Sequence, residues 1–445
     1  YRNRHRNNTL LRRVKRLTAA TRPRNTAWCR RDTALYSATL PVKRRFRRTV
    51  GAWGGFLNII WWDVPFSAGG PLKGGGAGKA IPMTAQPFGI YIHIPFCRRI
   101  CAYCGFVHRL LQGPLPESFI PALCREIAAF QGPSLSKSIF LGGGTPSLLS
   151  GQDLKVLFEA LYRRFRFSDP EVSIEVNPDD VTPEKVQIWH DLGINRVSIG
   201  VQSFDNPTLS FLGRRHDAEG ALRAIDLVRA HFENWAMDLI YGTPPAQAWT
   251  KTLETTLDLQ PPHISTYALT LVPGTPIGDH AENRFEDDWV LGLYQEAEAA
   301  LSGYDHYEIS NFARPPFYCR HNLLYWHNEQ HAGFGPGAFS LVGSIRAANP
   351  ADPGIWLADP GRKAEEIALS KTDLEVETLI QHLRLRKGLD LGYYRQRFGE
   401  GVEAGFGNII STLMDRGLVH MRGEELRPTR QGFYLNDEIG LALVR

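Results

Sequence analysis

Six short stretches of alternating apolar and polar residues, separated by amphipathic helical patterns, constrain this chain more than any other feature. The strands read at 89–96, 138–143, 172–177, 196–203, 235–241 and 263–271. Between them, Glu117 to Phe130 repeats Phe119, Leu123 and Ile127 every four residues, and Ala218 to Phe232 and Trp249 to Leu259 keep a helical period. Strands that alternate with helices are joined by right-handed crossovers, which makes their sheet parallel. Six units predict an α/β fold, a partial (β/α)6 barrel rather than the closed eight-stranded form.

The alternation also says what the barrel holds. Parallel strands covered on both faces are normally unbroken apolar runs. Here Ile90, Ile92 and Ile94 leave Tyr91 and His93 on the other face, and Val172, Ile174 and Val176 oppose Ser173, Glu175 and Asn177. Val197, Ile199 and Val201 likewise oppose Ser198, Gly200 and Gln202, and Asp238 turns away from Met237 and Leu239. With helices over the apolar face, the interior is lined by carboxylates, an amide and a phenol. Each would cost several kcal/mol if left unpaired. Either these groups bond one another and water, or a polar ligand fills the barrel; the second reading accounts for more of them.

Directly after the first strand stands Cys97-Arg-Arg-Ile-Cys101-Ala-Tyr-Cys104. The other cysteines, Cys29, Cys124 and Cys319, are scattered, which is no disulfide framework and suits a reducing compartment, the cytoplasm. Three thiolates can hold three irons of a [4Fe–4S] cubane and leave the fourth open, where the amino and carboxylate groups of S-adenosylmethionine (SAM) could chelate. Zinc with a distant fourth ligand such as Cys124 is the alternative. Cys124 itself, beside Leu123 in a helical pattern, reads as core.

The net charge of +5 hides two unlike regions. Residues 1–82 hold 18 Lys and Arg against Asp32 and Asp63, whereas residues 83–445 hold 33 basic and 44 acidic groups. The acidic body gives no support for nucleic-acid binding. The basic stretch has the composition of a transit peptide or a nucleic-acid arm. The plainer expectation is a disordered leader or read-through, with Met83 as the natural start. No apolar run is long enough to cross a membrane as a helix.

Domains are expected at 83–345 for the barrel and 365–445 for a second unit, beyond the Pro- and Gly-rich stretch 349–361. Glu375 to Leu385 and Gly407 to Leu418 read as helices, and the segment from His420 to Arg430 reads as a hairpin turning near Gly423. Helices followed by a hairpin predict a winged-helix-like domain. Such folds often bind DNA, but fold does not settle function, and a cap over the barrel mouth is the simpler expectation.

Several motifs carry a family resemblance. Tyr91-Ile-His-Ile-Pro-Phe-Cys97 running to Cys104, Gly142-Gly-Gly-Thr-Pro-Ser147 and Ile174-Glu-Val-Asn-Pro178 come first. Arg196-Val-Ser-Ile-Gly-Val-Gln-Ser-Phe204, Met237-Asp-Leu-Ile-Tyr-Gly-Thr-Pro244 and Ser265-Thr-Tyr-Ala-Leu269 follow in order. Tyr307-Glu-Ile-Ser-Asn-Phe-Ala313 and Arg320-His-Asn-Leu-Leu-Tyr-Trp326 complete the set. Over roughly residues 88–445 the chain resembles the radical SAM proteins related to oxygen-independent coproporphyrinogen III oxidase. Within them it is most similar to the heme chaperone branch, the HemW type. The dehydrogenases carry a further cysteine two positions after the third ligand, where this chain has Phe106. Gly105 departs from the Asp that the chaperone branch often has there.

The resemblance implies roles. Cys97, Cys101 and Cys104 would bind the cluster. Tyr91 and the backbone at Gly142, Gly143 and Thr145 would lie against the methionine part of SAM. Glu175, Gln202, Arg214 and Asp238 would hold its polar groups, with Ala268 near the adenine; Arg214 is chosen over Arg215 from its place after Gly213. In the ligand-dense segment 318–339, His321 is the candidate heme contact, with Cys319, His327 and His331 behind it; alternatively a solvent-exposed glycine-rich loop holds these histidines for packing and capping alone. No C-x-x-C-H attachment sequence is present in the chain. The resemblance thus implies a chaperone that carries heme, cluster and SAM and passes heme to acceptors such as respiratory cytochromes. The alternative is an enzyme decarboxylating the propionates of coproporphyrinogen III. It also allows a homodimer through the cluster region and a peripheral association with membranes.

Overall fold

In a computed structural model of the chain, residues 88–280 and 285–444 are described; the expectations for 1–82 lie outside them. Strands β1 (Phe88–Ile94), β2 (Leu135–Gly143), β3 (Arg166–Val176), β4 (Arg196–Gln202), β5 (Trp235–Tyr241) and β6 (His263–Ala268) lie side by side in sequence order, every pair parallel. Their apolar faces, including Ile90, Ile92, Ile94, Ile174, Val197, Ile199 and Met237, are fully buried. Each such side chain contributes about 1.5–3 kcal/mol over its exposed state.

The connecting helices lie over that face. Helix α1 (Phe119–Ala129) buries Phe119, Leu123 and Ile127, and α2 (Gly151–Arg164) buries Leu154, Leu157, Phe158 and Leu161. Ser150 and Asp153 close a capping box at the start of α2, which satisfies amides that the first turn would leave bare. Helices α3 (Pro183–Asp191), α4 (Ala218–Arg229), α5 (Ala246–Leu259) and α6 (Asp287–Ala300) continue the layer.

The sheet then grows at both ends. Beyond β6 comes the antiparallel pair β7 (Asp305–Glu308) and β8 (Asn311–Ala313). After a short helix α7 (Arg320–Trp326), β9 (His331–Phe334) returns to pair with β1 in parallel, and β10 (Phe339–Val342), β11 (Ile345–Ala348) and β12 (Glu365–Ala368) extend it as a meander. The order is β12-β11-β10-β9-β1-β2-β3-β4-β5-β6-β8-β7, a parallel core that does not close. The expected domain boundaries at 345 and 365 fall on the first residues of β11 and β12, because the meander carries the large sheet on to Ala368.

The C-terminal unit has its own core of Leu379, Leu383, Leu413, Leu426 and Ile439. It comprises α8 (Lys371–His382), α9 (Leu391–Phe398), α10 (Glu403–Asp415), the hairpin β13 (Val419–Arg422) and β14 (Glu425–Pro428), and α11 (Asn436–Val444). This is the expected winged-helix-like arrangement, with Gly423 in the turn at φ +60°. Asn328 Nδ2 donates to Thr378 Oγ1 on α8 at 3.1 Å, Arg397 donates to the Asn328 carbonyl at 2.8 Å, and Leu385 bridges to Glu308 at the β7 edge. The unit therefore packs on α7 and on an open sheet edge, and Gln381 of α8 joins the residues that line the barrel cavity.

Candidate functional site

The C-terminal ends of the parallel strands surround a cavity of about 300 Å³. Every cluster and SAM residue proposed from the sequence lines it except Gly142, as do His321 and His331, whereas Cys319 and His327 do not. A Cβ added to Gly142 would come 3.0 Å from Glu175 Oε2 and 3.1 Å from the Tyr91 ring, so that position adjoins the same space.

At the mouth, Cys97, Cys101 and Cys104 are half-buried on one loop, held by a two-residue parallel pairing of Phe96–Cys97 with Arg109–Leu110. Thr145 Oγ1 donates to Cys97 Sγ at 3.4 Å, and Arg214 Nη1 donates to Cys101 Sγ at 3.3 Å. Burial raises the Cys97 thiol, against the Thr145 hydroxyl, and pushes Cys104 up to about 12. Among the described residues no three His, Cys, Asp or Glu side chains converge on one point as a single ion requires. Three thiols on one loop, with donors aimed at two of the sulfurs, can each take a different iron of a cubane. Cys124, the alternative zinc ligand, donates instead to the Val156 carbonyl on α2.

Behind the loop, His93 is fully buried between Tyr91 and the cysteine loop: Nδ1 lies 2.9 Å from the Tyr91 hydroxyl and Nε2 2.9 Å from the Val107 carbonyl. Burial lowers the His93 pKa to about 4, so the ring is neutral. A carbonyl only accepts, so Nε2 holds the ring proton, Nδ1 is bare, and the Tyr91 hydroxyl donates to it. The Tyr91 oxygen then offers only lone pairs to the cavity.

The glycine run fits this corner for a steric reason. Gly143 adopts φ +109°, and a Cβ there would stand 2.6–2.8 Å from the His93 ring. Its N–H donates to Glu175 Oε2 at 3.1 Å. Burial first, then the neighbouring Asp238, pushes the Glu175 carboxyl up to about 8, against the Gly143 N–H and Arg196. Burial also raises Asp238, which accepts from Ser198 Oγ at 3.1 Å. Gln202 turns into the site where β4 leaves its regular register, with φ +67° in the left-handed region. Backbone of that kind costs about 1–3 kcal/mol and clusters at functional sites. Ala268 ends β6 on the opposite rim.

His321 lines the same cavity, but its ring is already engaged by protein groups. It is 1% exposed, with Nδ1 2.8 Å from Ser138 Oγ and Nε2 2.8 Å from the Tyr325 hydroxyl, so both ring nitrogens are engaged. The Glu171 carboxylate accepts from the backbone N–H of Arg320 and of His321, each at 2.9 Å. Cys319 is fully buried beside it. Segment 318–334 is therefore no exposed loop: α7 plugs the N-terminal end of the barrel and β9 joins the sheet.

Residues outside the sequence-based set also belong to the site. Asn177 accepts from Arg214 Nη2 at 2.6 Å and donates to Thr145 Oγ1 at 3.2 Å. Arg196, 2% exposed, lines the cavity below Glu175 and Asp238, and its Nε has no partner. Strand alternation was the available signal for both, since Asn177 shares a face with Glu175 and Arg196 with Gln202. His93 was visible on the Tyr91 face; what the sequence could not supply was its partner Val107, fourteen residues on.

The Radical SAM superfamily matches residues 91–254, and the HemN C-terminal domain matches residues 369–435. The heme chaperone HemW of Lactococcus lactis is 32% identical over 369 residues, spanning 80% of this chain and 97% of that protein. The heme chaperone HemW of Bacillus subtilis is 33% identical over 372 residues, spanning 78% and 97%. The solved structure of coproporphyrinogen III oxidase (HemN) from Escherichia coli, a radical SAM enzyme, aligns with a TM-score of 0.71 at 24% identity, over 81% of this chain and 92% of that one. At that identity the likeness speaks for the fold alone.

Proposed function

This chain belongs to the HemW family of radical SAM proteins, and from that premise we propose that it is a heme chaperone: it binds a [4Fe–4S] cluster, SAM and heme, and passes heme to acceptor proteins such as respiratory cytochromes. Cys97, Cys101 and Cys104 would hold the cluster, which when bound would supply one electron. The observation that carries this reading is the cysteine loop opening directly onto a cavity lined by Glu175, Gln202, Arg214 and Asp238. Tyr91, an acceptor by virtue of His93, would suit a ligand's ammonium group. The carboxylates of Glu175 and Asp238 accept from hydroxyl or amino groups, and the Gly142–Gly143 backbone lets the ligand approach closely. Ala268, on the cavity wall, would lie against the adenine.

Heme binding is proposed for the chain as a whole and not through ligation by His321, whose nitrogens would first have to leave Ser138 and Tyr325. No cysteine stands among Gly105, Phe106 and Val107 after Cys104, and Phe106 lines the cavity where the dehydrogenase branch has its extra cysteine. The reading assigns the protein to a reducing compartment, the cytoplasm, where open thiolates survive.

Anaerobic reconstitution of the full chain tests it. Iron and sulfide near four per chain, followed by stoichiometric heme uptake and transfer to an apo-cytochrome, is the expected result. Protoporphyrinogen formed from coproporphyrinogen III with SAM and reductant, without specific heme binding, would make the chain a porphyrin-pathway enzyme instead.

A further inference from the structure

Two sulfurs of the cysteine loop are joined through protein side chains. The path runs from Cys101 Sγ to Arg214 Nη1 at 3.3 Å, from Arg214 Nη2 to Asn177 Oδ1 at 2.6 Å, from Asn177 Nδ2 to Thr145 Oγ1 at 3.2 Å, and from Thr145 Oγ1 to Cys97 Sγ at 3.4 Å. Its proton order is fixed by chemistry. A guanidinium only donates, so the Asn177 amide must turn its oxygen to Arg214 and its NH2 to Thr145. Thr145 must then accept from Asn177, which leaves its single proton for Cys97. One neutral amide thereby aims two donors at two sulfurs.

The amide is also held in place. Asn177 precedes Pro178 and is extended, at φ −86° and ψ 140°. Its backbone N–H donates to Ser147 Oγ at 3.2 Å, and Ser147 in turn donates to Asp180 at 2.9 Å. Arg214 is braced a second time by donating to the Gly200 carbonyl at 2.9 Å. Thr145 is 2% exposed, so water does not readily replace it at Cys97.

We infer that Asn177 is a positioning residue that sets the reduction potential of the cluster, by directing the Thr145 hydroxyl onto Cys97 and the Arg214 guanidinium onto Cys101. This rests on the reading of the three cysteines as cluster ligands. Donors to the sulfurs stabilise the more negative, reduced cluster and raise its potential.

The isosteric change Asn177→Asp reverses the order at one step. A carboxylate still accepts from Arg214, but it also accepts from Thr145, whose proton then leaves Cys97. Thr145→Val removes the same donor without adding charge, and Thr145→Ser keeps it. The full chain and these variants are reconstituted anaerobically without SAM, assayed for iron and sulfide, and titrated electrochemically with the reduced cluster followed by its paramagnetic signal.

Thr145→Val is expected to lower the ratio of reduced to oxidised cluster at fixed poise by about three- to tenfold. Asn177→Asp is expected to lower it by about tenfold or more, and tenfold is 59 mV for one electron. Thr145→Ser should match the unaltered chain. In the Thr145→Val background, Asn177→Asp should act less than it does alone, because the proton it redirects is already gone. If Asn177→Asp assembles no cluster, the Ser-against-Val comparison at position 145 decides in the same way. Equal midpoints for the unaltered chain, Thr145→Val and Thr145→Ser would overturn the inference while leaving the cluster reading intact. An unaltered chain that assembles no cluster would overturn both.

Discussion

Binding of SAM should tighten about tenfold for each pH unit between roughly 6 and 8, because Glu175 must lose a proton first. Its carboxyl is raised from 4.5 to about 8 in the ligand-free fold, by burial and then by Asp238, with the Gly143 N–H and Arg196 opposing. Tyr91 and Tyr325 also face it, and both are held in the neutral phenol form by burial. Below pH 8 the group is therefore protonated and has lost acceptor capacity toward the hydroxyls it is proposed to hold. If only the ionised form binds, the measured Kd is the intrinsic value divided by the ionised fraction. With a value of about 8, that fraction is roughly one in a hundred at pH 6 and one in eleven at pH 7, and about nine-tenths at pH 9.

Calorimetric titration of SAM into the full chain from pH 6 to pH 9, beside Glu175→Gln, separates this effect from the ligand's own chemistry. The amino group of SAM titrates against both proteins alike, so the ratio of the two Kd values isolates Glu175. That ratio should change by about two orders of magnitude across the range. A ratio constant within a factor of two would refute the reasoning. The same shift has a stability counterpart of definite sign. A folded pKa raised above the unfolded one contributes stability that is complete below about 4.5 and lost as pH rises through about 8. Glu175→Gln should accordingly be the more stable protein above pH 8.

Other outcomes follow from the same geometry. Cys97→Ser should abolish cluster assembly, read as loss of iron and sulfide together; a full complement of both would remove Cys97 from the ligand set. Gly143→Ala places a methyl on the His93 ring at a φ that L-residues rarely adopt, so SAM affinity should fall by at least about tenfold while circular dichroism keeps the fold. His321→Ala should cost about 3–5 kcal/mol in denaturant unfolding, through the cavity left and the orphaned hydroxyls of Ser138 and Tyr325; a loss under about 1 kcal/mol would deny α7 its place as the floor. Burial lowers His93, His216 and His331 to about 4, and His382 to about 3. Since depressed histidines lose their contribution as pH falls from the unfolded value of 6.5 through these values, stability should drop steeply between pH 6.5 and 4, and a flat profile there would contradict their neutral burial.

The six parallel strands and the polar interior were legible because both rest on a local signal. Strands β1, β3, β4 and β5 show period-two alternation, and polar members of each, Tyr91, Glu175, Gln202 and Asp238 among them, meet around the cavity. The cysteine loop was legible for the same reason, since its three thiols lie within eight residues. What escaped the sequence depends on partners far along the chain. Strand β9, His331–Phe334, is four residues with two small members, and its parallel pairing with β1, some 240 residues earlier, is a contact that no local pattern announces. His321 looks like a ligand in sequence because nothing nearby can occupy its ring. Ser138 reaches it from 183 residues away, and Glu171 holds its backbone from 150 away. A buried histidine with both nitrogens engaged is a structural group, while the same residue on an open loop is a ligand. The difference lies in Ser138, Glu171 and Tyr325, and of these only Tyr325, four residues on, was within local reach.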